Sequence, residues 1–482
     1  MCAMCSNHQQ PFQLKTFRQF MYCSTVITIL SLMLLYTYKV DKIKFYKATS
    51  EPQIFVQPTV PQQCGQGQIV PQGQKVAVNR TKTLLISAYQ EHRTGRKEVR
   101  VIAVVLRSET VAYRCLLCCH DQLYISEGVS NIHADHFGFA YGTADIMCPL
   151  PSGCETPSYI TVTSAAADSE DKPDKEFLEV NNQKAINDSF PYNFTVCLST
   201  MFDFTNVLQL VQGLEMLQLL GVNRVVIYKT SNSPEIKHVL DYYTQKGLVE
   251  VIPWSMSRFL NVSRGWLPEH GPGDLHYFGQ IPALSDFIYR YMYQSRYVAL
   301  QDIDELILPQ SVNSWSELLP LLEKKYGADK CYMFENNVFP NTITLPPPTS
   351  ETLPPQSRCC PGWQNVSGVN ILAHLYQEPI IKETHYSNFK IIVNPRAVFI
   401  PTVHGLLHSL NGCSWVDRNI ARMYHTRAPK QPNLTPDQLI YDGRLLSYSA
   451  QLTSTVNTVL MESGLLPEDC VCVCVLEQEA KL

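Results

Sequence analysis

From about residue 190 the apolar positions of this chain alternate between two periods. Phe194–Ser199 and Arg224–Tyr228 are short runs rich in β-branched residues, as strands are. Between them Leu208, Val211, Leu214, Leu217 and Leu220 recur at helical spacing, and Gly221 supplies a stop, so Val207 to Leu220 is predicted as a helix. Ser233 followed by Pro234 sets an N-cap and first turn for a second helix running to Gly247. Leu248–Ile252 is a third strand, Pro282 to Tyr293 a third helix and Tyr297–Leu300 a fourth strand. This repetition predicts an α/β class with a mainly parallel sheet flanked by helices over 190–440.

Upstream the helical period is lost. Thr83–Tyr89, Val99–Val105 and Tyr159–Thr163 are β-branched runs, and 76–185 reads as a small β-rich domain. The polar segment Ala167–Lys175 suits the linker that closes it. Residues 39–75 hold Gln, Pro and Gly in excess, cannot bury a core, and read as a stem. Residues 441–482 read as a C-terminal tail, whose Cys470, Cys472 and Cys474 have no physical account.

Phe20 to Tyr38 is free of charge over a length that spans a bilayer. A single N-terminal transmembrane helix is the expectation, with 1–19 as a cytoplasmic tail. A cleaved signal peptide is the rival, but no small-x-small cleavage site follows. Flanking lysines alone (Lys39, Lys42, Lys44 and Lys47) would put the C-terminal side in the cytosol. The sequons argue the reverse: Asn79, Asn187, Asn193, Asn261, Asn365 and Asn433 all follow the span, and glycosylation needs the lumen.

The chain has 482 residues, 17 cysteines and a net charge of −4. No basic stripe interleaved with aromatics is present, so nucleic acid is not an expected partner. Cys115, Cys118 and Cys119 lack the second ligand pair of a zinc site, and structural disulfides in an oxidising compartment are expected. Their pairing and the oligomeric state do not follow from the sequence.

The fourth strand ends in Gln301-Asp302-Ile303-Asp304-Glu305. In an extended strand the residues at i and i+2 point the same way, so Asp302 and Asp304 would converge on a hard cation, Mn²⁺ or Mg²⁺. Such a cation neutralises a leaving diphosphate. Ligands bind open α/β sheets at the carboxyl ends of strands, which is where this pair falls. An acidic turn closing a strand is the plainer reading of the same residues.

These residues resemble a known family. His276-Tyr277-Phe278-Gly279-Gln280, the helix ending Tyr289-Arg290-Tyr291, and Gln301 through Leu306 resemble glycosyltransferase family 92. Leu85–Tyr89 with Arg93 resembles its N-terminal signature, and Lys390–Pro395, Val403-His404 and His425-Thr426-Arg427 resemble its C-terminal blocks. The similarity runs in order from about 80 to 430. Thr426 stands where the family pattern has an aromatic, and the Pro-rich stretch from Leu345 to Pro355 is particular to this chain.

The resemblance implies a GT-A-like fold and a type II Golgi membrane protein. It also implies inverting transfer of galactose from UDP-galactose to a glycan acceptor in β-1,4 linkage, with N-glycans among the acceptors. Asp302 and Asp304 would hold the metal and diphosphate, with His425 or His404 as a third ligand and His408 a weaker candidate. Lys390 would meet phosphate as a point charge. An inverting transfer needs a carboxylate base, for which Glu305, Glu335 and Asp417 are candidates; Glu305 would otherwise support the metal ligands. Trp254, Trp266 and Trp363 are candidate sugar platforms or core residues. The Gly-rich stretch from Arg258 to Asp274 is either a lid or a static loop. Two rival functions stand beside this one: another UDP-sugar as donor, and a membrane-anchored glycan-binding protein without catalysis.

Overall fold

The computed structural model describes Cys64 and residues 68–166, 176–185, 189–348, 361–381 and 386–467. After two two-residue strands, Gln68–Ile69 and Val76–Ala77, that pair at its margin, seven longer strands form the first sheet: β1 (Leu84–Glu91), β2 (Glu98–Leu106), β3 (Tyr113–Cys119), β4 (Gln122–Ile132), β5 (Tyr141–Pro149), β6 (Tyr159–Ser164) and β7 (Glu176–Asn181). They pair in the order β7-β6-β3-β4-β5-β2-β1, and β7 pairs again with β1, so the sheet closes on itself as a barrel. Among these seven every pairing is antiparallel except the closing one, where Ala88 and Tyr89 lie beside Val180 and Asn181. Closure removes the free strand edges that an open sheet leaves.

Alternation along the strands explains two sequence features. On β3, Cys115, Leu117 and Cys119 point into the barrel, and Cys115 and Cys119 bond to Cys148 and Cys154. Cys118 points the other way and meets Cys64. The Cys-x-x-Cys-Cys run is therefore three disulfides drawn from two faces of one strand. On β2, Val99, Val101, Ala103 and Val105 fill the barrel, while Ile102 and Val104 join a second core outside it. A strand buried on both faces reads as an unbroken apolar run.

The second part begins with β8 (Tyr192–Met201), α1 (Val207–Leu219), β9 (Arg224–Lys229), α2 (Pro234–Gln245), β10 (Val249–Pro253), α3 (Gln280–Tyr291) and β11 (Ser295–Leu300). It continues through β12 (Glu305–Pro309), α4 (Trp315–Tyr326), β13 (Cys331–Phe334), β14 (Asn336–Pro340), β15 (Lys390–Val393), β16 (Val398–Thr402), β17 (Gly405–Ser409), β18 (Cys413–Trp415), β19 (Ala421–Arg427) and α5 (Ser449–Glu462). Ser233 caps α2 as its sequence predicts, accepting from the Ile236 N–H at 3.3 Å. One sheet has the order β10-β9-β8-β11-β15-β13-β18. A smaller sheet, β12-β19-β14, stands beside it, and β16 and β17 form a hairpin.

The expectation of an α/β, GT-A-like fold with a mainly parallel sheet is corrected here. The described structure is mostly sheet, 36% strand against 24% helix, and includes the closed seven-stranded barrel. In the mixed sheet β10, β9, β8 and β11 run parallel in succession and β18 is parallel to β13, but β15, lying between β11 and β13, is antiparallel to both. The helix-linked repetition that builds a parallel sheet ends at β11, and β15 then enters between β11 and β13 from the opposite direction. Among the described residues no helix is long and apolar enough to cross a membrane, and Phe20–Tyr38 lies outside them.

The barrel and the mixed sheet share a core. Leu84, Ile86, Tyr89, Ile102 and Val104 pack with Ala283, Phe287 and Ile288 of α3 and with Val226, Val298 and Leu300 of the sheet. Polar groups cross the same boundary. Tyr89 donates to Asp286 at 2.7 Å, and Arg93 donates to the Tyr289 hydroxyl at 2.9 Å and to the Val398 carbonyl. The segment read as a tail holds α5, whose Leu452, Val456, Val459 and Leu460 join the core on the other side of the sheet with α1 and α2.

Candidate active site

Strand β11 lies mid-sheet and ends at Leu300; β12 begins at Glu305. Asp302 and Asp304 therefore sit in the connecting turn, not on an extended strand. The turn is fixed from within. The Asp302 N–H donates to Glu305 Oε2 at 2.8 Å, the Glu305 N–H to the Asp302 carbonyl at 3.2 Å, and Gln301 Nε2 to the Glu305 carbonyl at 2.8 Å. The two carboxylates consequently meet different partners. Lys390 Nζ donates to Asp302 Oδ2 at 2.8 Å, and His425 Nε2 lies 3.1 Å from Asp304 Oδ2.

Register brings His425 here. Strand β19 pairs antiparallel with β12, with His425 opposite Glu305, and the Thr426 N–H donates to the Asp304 carbonyl at 3.0 Å. Helix α1 anchors the same strand end, with Gln209 Nε2 donating to the Thr426 carbonyl at 3.0 Å. Lys390 opens β15, the strand beside β11. Glu305 ties the two cations together: its carboxylate is 3.4 Å from Lys390 Nζ and 3.5 Å from His425 Nδ1.

The charges follow from this arrangement. Burial pushes the Glu305 carboxyl up to about 7, Asp302 and Asp304 add to the rise, and Lys390 and His425 oppose it. For Lys390, burial would lower the pKa, but Asp302 and Glu305 outweigh it and the ammonium is held. For His425, burial is likewise outweighed by Glu305 and Asp304, and its pKa rises. Asp304 is lowered: burial opposes this, but the His425 hydrogen bond and charge prevail. Lys390 and Glu305 are 2% exposed, whereas Asp302 and Asp304 retain 38% and 36%, so the turn presents its two aspartates outward from a buried ionic base.

The donor chemistry fits a hard divalent cation: two half-exposed carboxylates and an imidazole whose Nε2 is aimed at one of them. Asp302 and Asp304 are each engaged with an internal cation, and among the described residues no group of three or more His, Cys, Asp or Glu side chains is gathered as a metal site.

The remaining candidates are placed as follows. His404 sits in the turn between β16 and β17, with Nδ1 3.3 Å from the Phe389 carbonyl and its ring 5.7 Å from Trp266; burial and the Lys390 charge lower its pKa to about 4. Glu335 is buried and lies 3.5 Å from Arg418. Asp417 is on the surface, 3.3 Å from Lys325, and caps the Asn419 N–H. His408 stacks on Phe399 at 4.8 Å on the β16–β17 hairpin. Trp254 and Trp363 are buried and hydrogen-bonded, to the Phe278 carbonyl and Asn457 respectively, so they are core residues. Trp266 is half-buried among His276, Tyr277 and His404. The Gly-rich loop is cross-tied: Ser263 Oγ accepts from the Gly265 N–H and donates to the Gly271 carbonyl at 2.9 and 2.7 Å. A Cβ on Gly265 would sit 2.5 Å from the Gly271 nitrogen, so these glycines permit close backbone approach.

Two site residues were not singled out by sequence reasoning. Arg427 ends β19 two residues beyond His425, and its charge acts on Asp304, His425 and Tyr277. Tyr277 precedes α3. Period two on β19 would have placed Arg427 beside His425.

Residues 192–456 match Glycosyltransferase family 92. The match covers more than half of the chain, and the chain belongs to that family. A family 92 protein of Caenorhabditis elegans is 26% identical over 129 residues, which is 27% of this chain and 25% of that protein. The chain thus aligns with about a quarter of that relative's length. Among solved structures, a glucosyl-3-phosphoglycerate synthase from Mycobacterium tuberculosis, in complex with Mn²⁺, UDP and glucosyl-3-phosphoglycerate, has 11% identity and a TM-score of 0.22 over 57% of this chain and 81% of its own. A cyclomaltodextrinase has 9% identity and a TM-score of 0.14 over 34% of this chain and 40% of its own. Scores of this size do not define a shared fold.

Proposed function

We propose that this chain is a metal-dependent inverting glycosyltransferase that moves galactose from UDP-galactose to a glycan hydroxyl in β-1,4 linkage. The observation that carries the reading is the gathering of Asp302, Asp304, Glu305, Lys390 and His425 at one end of the mixed sheet, all within the span matched to the family. Asp302, Asp304 and His425 are the residues that would hold Mn²⁺ or Mg²⁺, and such an ion, when bound, neutralises charge on a leaving diphosphate. Lys390 and Arg427 add positive charge at the same place. Glu305 is too enclosed to meet an acceptor; its oxygens orient the Asp302 amide, Lys390 and His425, which makes it a positioning residue.

N-glycans are the proposed acceptor class and the Golgi lumen the proposed location. Four disulfides among the described residues support an oxidising compartment. So do the sequon asparagines Asn79, Asn193, Asn261, Asn365 and Asn433, every one exposed; Asn187 lies outside the described residues.

The test is UDP release from a panel of UDP-sugars with Mn²⁺, with and without an N-glycan pool. Acceptor-dependent release from UDP-galactose alone is expected. Release from a different sugar nucleotide would replace the donor, and glycan binding without release or UDP affinity would replace the activity.

A further inference from the structure

Just before α3 the chain turns through three successive left-handed residues. Tyr277 has φ 34° and ψ 64°, Phe278 has φ 53° and ψ 21°, and Gly279 has φ 75° and ψ 41°. Glycine adopts this region freely, whereas each larger residue there costs on the order of 1–3 kcal/mol. Such strain persists only where the surroundings over-determine it.

Here the surroundings hold Phe278. Its N–H donates to the Ser263 carbonyl at 3.1 Å, its carbonyl accepts from Trp254 Nε1 at 2.9 Å, and its ring stacks on Phe202 at 4.0 Å. On the other side His276 is buried and stacks on Phe137 at 4.3 Å. Tyr277 lies between two inward-facing neighbours and is left half-exposed. Its ring is braced by Phe202 at 5.1 Å and Trp266 at 5.9 Å.

The hydroxyl at the end of that braced ring has no hydrogen-bond partner among the described residues. Four charged groups of the site act on it. Burial first, then Asp302 and Asp304, raise the phenol pKa, and Lys390 and Arg427 oppose the rise. At neutral pH the group is therefore an O–H donor. The strained turn and the two aromatic neighbours fix the ring, and the unused donor at its end lies within electrostatic reach of both carboxylates and both cations.

We infer that Tyr277 is a substrate-contacting residue, whose hydroxyl donates a hydrogen bond to an oxygen of a nucleoside-diphosphate sugar lying over the exposed face of the Asp302–Asp304 turn, beside Arg427. The inference rests on the transferase reading above and adds to it a residue of the donor site. The ring is fixed before the donor arrives, so the contact orders no additional side chain, which is the advantage of preorganisation.

Tyr277→Phe keeps the ring, its packing and the backbone turn and removes only the oxygen. Two measurements are made on wild type and variant: titration calorimetry of UDP with Mn²⁺ and of UDP-galactose with Mn²⁺, and steady-state transfer. The variant is expected to lose ten- to hundredfold in kcat/KM for the sugar nucleotide or in its affinity, with an unchanged KM for the acceptor and an unchanged melting temperature. Equal binding and equal kcat/KM, within twofold of an active wild type, would overturn this inference and leave the transferase reading standing. A wild type that neither binds UDP nor releases it would overturn both.

Discussion

Lys390 Nζ is 2.8 Å from Asp302 Oδ2 across the junction of β11 and β15, and the lysine is buried while the aspartate is not. One end of the pair is structural and the other is presented to solvent.

Removing the buried end exposes what it neutralises. Lys390→Met leaves Glu305 enclosed beside Asp302 with His425 as its remaining cation, and breaking a buried pair typically costs about 3–5 kcal/mol. A fall of this order in urea-unfolding free energy is expected. Lys390→Met with Glu305→Gln is expected to recover part of it. Equal stability of the single variant and wild type would show that the pair bears no weight.

Removing the exposed end is expected to spare the fold. Asp302→Asn and Asp304→Asn should each lower transfer at least a hundredfold, with melting temperatures within a few degrees of wild type. Chelation should abolish transfer and added Mn²⁺ restore it. Full activity in both variants, or indifference to chelation, would remove the metal from the reading.

His276 predicts an acid sensitivity with a defined window. Burial alone lowers its pKa to about 4, and both ring nitrogens lack partners among the described residues. The folded-state value lies below the ordinary one near 6.5. The unfolded chain therefore takes up the proton first, and stability is full above about pH 6.5 and falls as pH drops toward 4. The contribution is on the order of 3 kcal/mol at its limit. His276→Phe should flatten this part of the profile, as followed by denaturant midpoints between pH 7 and pH 4.5; an unchanged slope would assign it to other groups.

Five exposed sequons predict occupancy in a secretory pathway. Enzymatic removal of N-glycans should reduce the apparent mass in several steps. Asn433→Gln, at an exposed site, should remove one step and leave transfer unchanged. A single unshifted band before and after treatment would contradict lumenal residence.

Much of the local structure was legible because it depends on short-range rules. The helical repeat from Val207 and the Ser233–Pro234 start were both read from spacing and capping, and both helices lie within two residues of the expected bounds. What spacing does not encode is pairing. That β15 runs against β11 depends on residues some ninety positions apart. Helix α5 was missed because its apolar positions are interrupted by Thr, Ser and Asn, a weak amphipathic signal that packing against α1 and α2 overrides.

The site divides along the same line. Asp302 and Asp304 were visible as a motif, yet the reason given for them, a shared face of an extended strand, does not hold in a turn. That His425 reaches Asp304 is a matter of register between β12 and β19; a slip of one residue would turn the imidazole to the opposite face. Tyr277 lay inside a quoted motif, and nothing in its letters shows that its backbone is left-handed.

The shared core between barrel and sheet bears on inheritance. Similarity to the family is detected from residue 192 onward, but Asp286 inside that span receives a hydrogen bond from Tyr89, and Tyr289 receives one from Arg93. A gene fragment encoding the matched span alone would leave the outer faces of α3 bare and a buried carboxylate short of a donor. Recombination that separated the two parts would thus remove contacts from the helix that follows Tyr277, which favours inheritance of the barrel and the matched region together.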